Sequence, residues 1–235
     1  MTLPAARSTG EPGAARWCVW GVEMADLNGD ALRLQMVNSQ LRTSDINEQN
    51  ILEAFAAVPR EAFVAPEQRG IAYCDGELAS AGPAGRRLLS PRTLGLLLKC
   101  AAPQPHERAL VVGGGAGYCA ALLARMGLAV VDLETQSAGA DAPGGVVRVA
   151  GPLDKPPAGQ GPFDVIVING AFAVAPEALI DALNDGGRLV GVDARTGAKH
   201  IAIFERSGEG VSERVAYDAS AEVLPGFAPA PAFVF

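Results

Sequence analysis

The sequence predicts an α/β domain built on a largely parallel sheet. Beyond residue 109, short apolar segments alternate with helical ones, which is typical of strands joined by crossover helices. The apolar segments are nearly continuous, as expected of strands covered on both faces. A glycine-rich turn joins the first of these strands to a helix. The chain has 235 residues, 49% hydrophobic and 19% charged, which suffices for one such domain with a sizeable core.

The part of the chain before the sheet is expected to hold an extension and helices. Residues 1–24 are rich in Ala, Gly, Pro and Arg, which predicts a flexible extension. Residues 25–235 are expected to form a single domain. Within it, residues 25–105 supply N-terminal helices and a loop, and residues 106–235 supply the sheet core.

The helices and the loop follow from periodicity and from proline positions. Residues 30–66 are predicted to be helical because apolar residues recur every three or four positions. Asn47 is placed to cap the second helix, and Pro59 ends it, since the residue before proline avoids helical angles. Residues 72–91 are turn-rich and predict a loop or short hairpin. Pro91 then opens a helix that runs to Cys100.

The sheet core is assigned alternating strands and helices. The predicted strands are residues 109–113, 129–133, 146–150, 164–168 and 187–192. The predicted helices are residues 118–126 and 176–184. The segments KHIAIFERSG, VSERVAYDA and APAFVF are expected to close the sheet with strands that are at least partly antiparallel.

Composition argues against several classes of function. The formal charge is −7 at pH 7 without a Lys/Arg stripe, so an extended nucleic-acid footprint is not expected. No apolar run approaches the ~20 residues of a membrane span. The N-terminus lacks the order of a signal peptide. Four cysteines without a C-x-x-C pair, and two distant histidines, predict no metal site. Unpaired cysteines packed as small hydrophobes suit a reducing cytoplasm.

The glycine turn within ALVVGGGAGYCAALLA, residues 109–124, is a candidate cofactor site. Gly113, Gly115 and Gly117 can take positive φ and let the backbone approach a ligand at a helix start. They could equally serve only a tight turn and close packing. Glu134 lies roughly 20 residues further on, where a carboxylate usually binds ribose hydroxyls. The alternative for Glu134 is a solvated acid at a strand end.

Several motifs resemble the protein-L-isoaspartate O-methyltransferases. They are MVNSQLR, ILEAFAAVPREAFV, AYCD, VVGGGAGYCAALLA, FDVIVINGAF, PEALIDALNDGGRLV and LPGF, and they extend over about residues 31–235. The resemblance implies a seven-stranded, Rossmann-like methyltransferase sheet with N-terminal helical additions. It implies S-adenosylmethionine as cofactor and methyl transfer to isoaspartyl carboxylates of damaged proteins. That carboxylate is ionised near pH 7, so no general base is required.

The chain departs from the family pattern at positions that matter for binding. An acid normally precedes the glycines, where Val111 stands here. The substrate loop resembling GQTISQP is GRRLLSP here, so that Arg87 and Leu89 replace two hydroxyl residues. Pro152 stands where the family has an adenine-contacting acid. Residues 135–145 are short and rich in Gly and Pro, and they predict no helix beyond one turn where the family has a full helix.

Two hypotheses follow for function. The first is a divergent isoaspartyl methyltransferase with a degenerate site and weak or lost S-adenosylmethionine binding. Its cofactor residues would be Gly113, Gly115, Gly117, Glu134 and Asn169, and Ser90 would be the catalytic-loop hydroxyl that positions the isoaspartyl substrate. The second is a catalytically inactive interaction module, or an accessory subunit that binds a protein partner.

Overall fold

The computed structural model describes residues 29–136 and 145–229, and these residues form five α-helices and nine strands. The helices are α1 Gly29–Met36, α2 Gln49–Ala57, α3 Pro91–Ala101, α4 Tyr118–Arg125 and α5 Glu177–Ile180. The strands are β1 Leu78–Ala79, β2 Arg87–Leu88, β3 Arg108–Val112, β4 Ala129–Glu134, β5 Val147–Ala150, β6 Phe163–Phe172, β7 Leu183–Asp193, β8 His200–Ser207 and β9 Gly210–Asp218.

The main sheet has seven strands in the order β5-β4-β3-β6-β7-β8-β9. The first five strands are parallel to one another, and β8 and β9 add antiparallel to β7. The α/β fold class, the parallel core and the antiparallel closing strands β8 and β9 are thereby confirmed. The strand order reverses beside β3, and open α/β sheets bind ligands at the carboxyl ends of the strands at such a point.

Each face of the sheet carries its own apolar layer. Side chains alternate along β3, so that Ala109 and Val111 face the layer formed with α2, α3 and α4, while Leu110 and Val112 face the layer that includes α5. All four side chains are fully buried. This burial on both faces explains why the strand reads as a continuous apolar run.

The N-terminal half agrees with the sequence in outline and differs at one cap. The chain between α1 and α2 continues as a π-helical turn, Val37–Leu41, and a 3-10 turn, Arg42–Ser44. The prediction that Asn47 caps α2 was wrong. Glu48 is the N-cap residue and makes no side-chain cap, because its carboxylate turns back to accept from Asn47 N at 3.0 Å. The Asn47 side-chain amide donates to Asp45 Oδ1 at 3.5 Å. Helix α2 ends two residues before Pro59, as expected.

The loop before α3 is a short hairpin, as predicted. Strands β1 and β2 pair antiparallel. Ser90 is the N-cap of α3, where its Oγ accepts from the Thr93 N–H at 3.2 Å, and Pro91 occupies the first turn. This arrangement confirms the predicted helix start.

One predicted helix is much shorter than expected. Residues 176–184 were predicted to be helical, but α5 stops at Ile180. The residues that follow α5 pair with the sheet and do not continue the helix. Phe163 N donates to Ala182 O at 2.9 Å, and Leu183 pairs with Phe163 in β6. Strand β6 is also longer than predicted and includes Asn169. Tertiary pairing therefore overrides the local helical pattern.

Some expectations fall outside the described residues. They are the flexible extension at residues 1–24, the APAFVF strand and most of the helix-free crossover at residues 135–145. Within the described ranges, no helix is long and apolar enough to cross a membrane.

Candidate functional site

The glycine turn lies at the carboxyl edge of β3, between that strand and α4. Gly113, Gly115 and Gly117 all have positive φ, at 73°, 62° and 95°. The predicted strand–turn–helix geometry is therefore present. The turn faces the ends of β4 and β6 on either side.

The N–H groups of the turn are occupied by other parts of the chain. Gly113 N donates to Leu133 O at 2.9 Å, and Gly115 N donates to Glu134 Oε2 at 3.0 Å. Ala116 N donates to Ser80 Oγ at 2.9 Å. These three donors of the turn are therefore used by the chain itself.

Glu134 ends β4 and is held by Arg86 from the loop between β1 and β2. Arg86 Nη2 lies 2.7 Å from Glu134 Oε1, and Arg86 Nε lies 3.1–3.2 Å from both carboxylate oxygens. Thr135 adds donors from its N–H at 2.7 Å and its hydroxyl at 3.1 Å. Burial acts to raise the pKa of the Glu134 carboxyl, but these hydrogen bonds outweigh it and hold the pKa below its usual value.

Asp132 lies two residues before Glu134 on the same face of β4, beneath the turn. It pairs with Arg148, its register partner in β5, at 3.6 Å between Arg148 Nε and Asp132 Oδ2. Arg148 Nη2 donates to Ala116 O at 2.6 Å, so the pair also fixes the turn. Burial raises the pKa of Asp132 to about 7, although Arg148 opposes that rise. A Cβ on Gly114 would overlap Asp132 Oδ1.

A small cavity lined by described residues lies beside the turn. Its volume is about 20 Å³, which is room for about one water molecule. Asn169 reaches its wall and donates to Gly113 O at 3.1 Å. The lining residues are Glu77, Arg86, Arg87, Leu89, Gly113, Asn169, Gly170, Glu222 and Leu224.

Comparison with known proteins identifies the family. The family model described as protein-L-isoaspartate(D-aspartate) O-methyltransferase (PCMT) matches residues 33–137 and 155–222. The chain belongs to this family. A protein-L-isoaspartate O-methyltransferase of Methylorubrum populi is 37% identical over 169 residues, covering 68% of this chain and 79% of that relative. One from Aeropyrum pernix is 33% identical and covers 84% and 80%.

Solved structures support the same fold. A protein-L-isoaspartate O-methyltransferase superposes with a TM-score of 0.70 at 21% identity, covering 83% of this chain and 66% of that one. A Plasmodium falciparum protein described by the same activity, in complex with S-adenosyl-L-homocysteine, gives 0.68 at 19% identity and covers 82% and 97%. The seven-stranded methyltransferase-like fold is thereby confirmed.

The predicted PCMT site residues are brought together only in part. Gly113, Gly115 and Gly117 lie beside Glu134, and Asn169 reaches the same turn. Their roles in cofactor binding stay predictions.

Ser90 makes no hydrogen bond to these residues in the described part of the chain and lies at the start of α3. Its hydroxyl caps α3, and Ser90 does not line the small cavity. Arg87 bonds Glu77 through its Nε at 3.2 Å, while Leu89 is buried at the cavity wall. The role of Ser90 in catalysis also stays a prediction.

Sequence reasoning missed three residues that hold the turn. Asp132, Arg148 and Ser80 all contact it, and none of them was singled out. Asp132 carried a signal, because a charged residue inside the apolar segment AVVDLE needs a buried partner. Ser80 and Arg148 carried none, since their contacts cross 36 and 32 residues of sequence.

The PCMT family binds S-adenosylmethionine. Among the described residues, the Glu134 carboxylate is already saturated by donors from the chain. In this arrangement its oxygens do not fit the ribose hydroxyls of S-adenosylmethionine, although the turn and the acid occupy the expected places.

Proposed function

We propose that this chain is a degenerate protein-L-isoaspartate O-methyltransferase, which keeps the reaction class of its family but binds S-adenosylmethionine weakly. The observation that carries the proposal is the pairing of Glu134 with Arg86. The acid stands where a ribose-binding carboxylate belongs, and an arginine of the same chain holds it. Family membership supports the substrate class, an isoaspartyl carboxylate in a protein or peptide.

The reaction requires little of the protein beyond positioning the substrate carboxylate. A carboxylate with a reference pKa of ~3.9 is ionised at neutral pH and attacks without a base. Binding must therefore orient it and exclude water. In the loop GRRLLSP, Leu89 offers no hydrogen bond, and Arg87 is half exposed and engaged with Glu77. Both features support slow turnover, because a misplacement of about 1 Å can cost ~100-fold in rate.

The expected loss of cofactor affinity follows from absent polar contacts. Each lost hydrogen bond to a ligand costs ~1–3 kcal/mol when its partner stays buried. Val111 and Pro152 remove two acids of the family pattern. Two such losses take a micromolar site to a dissociation constant above roughly 100 µM.

Calorimetry and a methyl-transfer assay test the proposal together. Titration with S-adenosylmethionine and with S-adenosylhomocysteine should give dissociation constants above roughly 100 µM. Transfer of a tritiated methyl group to an isoaspartyl peptide at saturating cofactor should be detectable but very slow. A dissociation constant near ~1 µM with robust turnover would overturn the proposal.

Variants of the loop GRRLLSP distinguish an effect on substrate positioning from an effect on folding. Arg87→Thr combined with Leu89→Ser should raise the residual rate. Ser90 is tested with two variants, because Ser90→Ala also removes the cap of α3. Ser90→Asn retains a capping oxygen without the hydroxyl. A rate that falls in both variants supports Ser90 as the substrate-positioning hydroxyl, and a rate that survives in Ser90→Asn argues against that role.

A second candidate function is a catalytically inactive interaction module. The internal hydrogen bonds of the turn favour it. It is distinguished by the same titration: the module predicts no binding heat and no transferred methyl even at millimolar cofactor. A cytoplasmic location is part of either proposal. Cys74, Cys100 and Cys119 are all unpaired, which suits a reducing compartment.

A further inference from the structure

We propose that Arg86 is an internal competitor of the cofactor, so that binding of an adenosyl ligand requires the Arg86 guanidinium to leave Glu134. The inference rests on the proposed function and names a residue that lowers its cofactor affinity further. The hydrogen bonds that the chain makes to the Glu134 carboxylate carry this inference.

The Glu134 carboxylate has no acceptor capacity left for a ligand. A carboxylate offers about four lone-pair sites. Here both oxygens accept from Arg86, Oε1 also accepts from the N–H and hydroxyl of Thr135, and Oε2 accepts from Gly115 N. The side chains of Glu134 and Arg86 are only 6% and 11% exposed. Ribose hydroxyls would need the same oxygens, so the two occupants exclude each other.

The hairpin holds Arg86 in this position before any ligand arrives. Ser80 N donates to Arg86 O at 2.9 Å, and Arg86 N donates to Pro83 O at 3.2 Å. The same hairpin is pressed against the glycine turn, since a Cβ on Gly82 would lie 2.5 Å from Gly115 C. Ser80 Oγ joins the two segments through Ala116 N. Arg86 is therefore preorganised over Glu134, and its planar fork suits a carboxylate.

The size of the effect follows from the population of the open state. When a binding-competent state is a fraction of the molecules, the apparent dissociation constant rises by the inverse of that fraction. Minor states of about 0.1–10% are typical of two-state equilibria. Removing the competitor should therefore tighten binding by at least about tenfold.

The test compares Arg86→Gln with a matched control, Arg188→Gln. Arg188 forms a similar two-point ion pair with Glu107, with both nitrogen–oxygen distances 2.8 Å, at the amino edge of the sheet. Dissociation constants for S-adenosylhomocysteine are measured by calorimetry, with thermal shift by the same ligand as a second readout. We expect Arg86→Gln to bind at least about tenfold more tightly than the unmodified protein, and Arg188→Gln to bind within about twofold of it.

A second variant guards against a folding failure. Arg86→Lys keeps a positive charge next to the buried carboxylate but offers one ammonium in place of a fork. It should fold and bind about threefold or more tightly than the unmodified protein. Unchanged affinity in every folded Arg86 variant overturns the inference, even where weak binding by the unmodified protein upholds the proposed function. Tight binding by the unmodified protein overturns the proposed function and this inference together.

Discussion

Asp132 should make the protein less stable as the pH rises from about 4 to 7. Its folded-state pKa is about 7, above the 3.8 of an unperturbed aspartate. The folded state therefore retains the proton where the unfolded state has released it. The resulting stabilisation is fully present below about pH 4 and is lost by the time the pH has risen through 7. Asp132→Asn removes this dependence because asparagine does not ionise.

The magnitude follows from the pKa and from burial. Between the unfolded and folded pKa values, each pH unit changes the free energy of unfolding by about 1.36 kcal/mol. From pH 5 to pH 7 the contribution therefore falls by about 2.7 kcal/mol at most. Asp132 is 2% exposed, so solvent screens this contribution little. The free energy of unfolding of Asp132→Asn minus that of the unmodified protein should rise by up to that amount over this range.

Urea unfolding at several pH values between 5 and 8 measures this difference. Asp193→Asn serves as the control, because hydrogen bonds from Arg195 hold the pKa of Asp193 below its usual value despite its burial. That variant should be destabilised by a nearly constant amount over the same range. A difference for Asp132→Asn that changes by less than about 0.5 kcal/mol would refute the reasoning about burial.

Three further predictions concern stability and reactivity. Gly82→Ala should cost about 1–3 kcal/mol in urea unfolding, because its Cβ would meet the Gly115 backbone. Ser90→Ala should cost about 1 kcal/mol by the same measurement and Ser90→Asn much less, since only the second keeps a cap. Mass spectrometry after brief alkylation should find exposed Cys74 modified and Cys119 untouched, because burial raises the pKa of the Cys119 thiol.

The predictable part of the fold is the part encoded locally. Apolar runs gave the parallel strands because both faces of the sheet are covered, and Pro91 marked the start of α3 because its φ suits a first turn. The helix predicted at residues 176–184 was overestimated for the opposite reason. Its end is set by pairing of Leu183 with Phe163, a contact that no local pattern records.

The sequence predicts where the candidate site lies, but it does not predict that Glu134 is paired with an arginine of the same chain. The glycines and Glu134 could be placed because turn chemistry and strand ends are local features. Arg86 lies in the predicted turn-rich loop, and no local pattern indicates where its guanidinium points. Its contact with Glu134 spans 48 residues of sequence. Only the hairpin packing against the turn decides that the guanidinium points inward.

The internal bonding of the turn changes what its glycines signify. Gly114 is required because a side chain there would overlap Asp132, and Gly117 because its φ of 95° is one that side chains rarely allow. Both requirements come from the protein itself. The glycine pattern would therefore persist in this chain even if cofactor binding were lost, so the pattern alone cannot distinguish an enzyme from an inactive relative. That distinction depends on the occupancy of the Glu134 carboxylate, which is the property that the Arg86 variants measure.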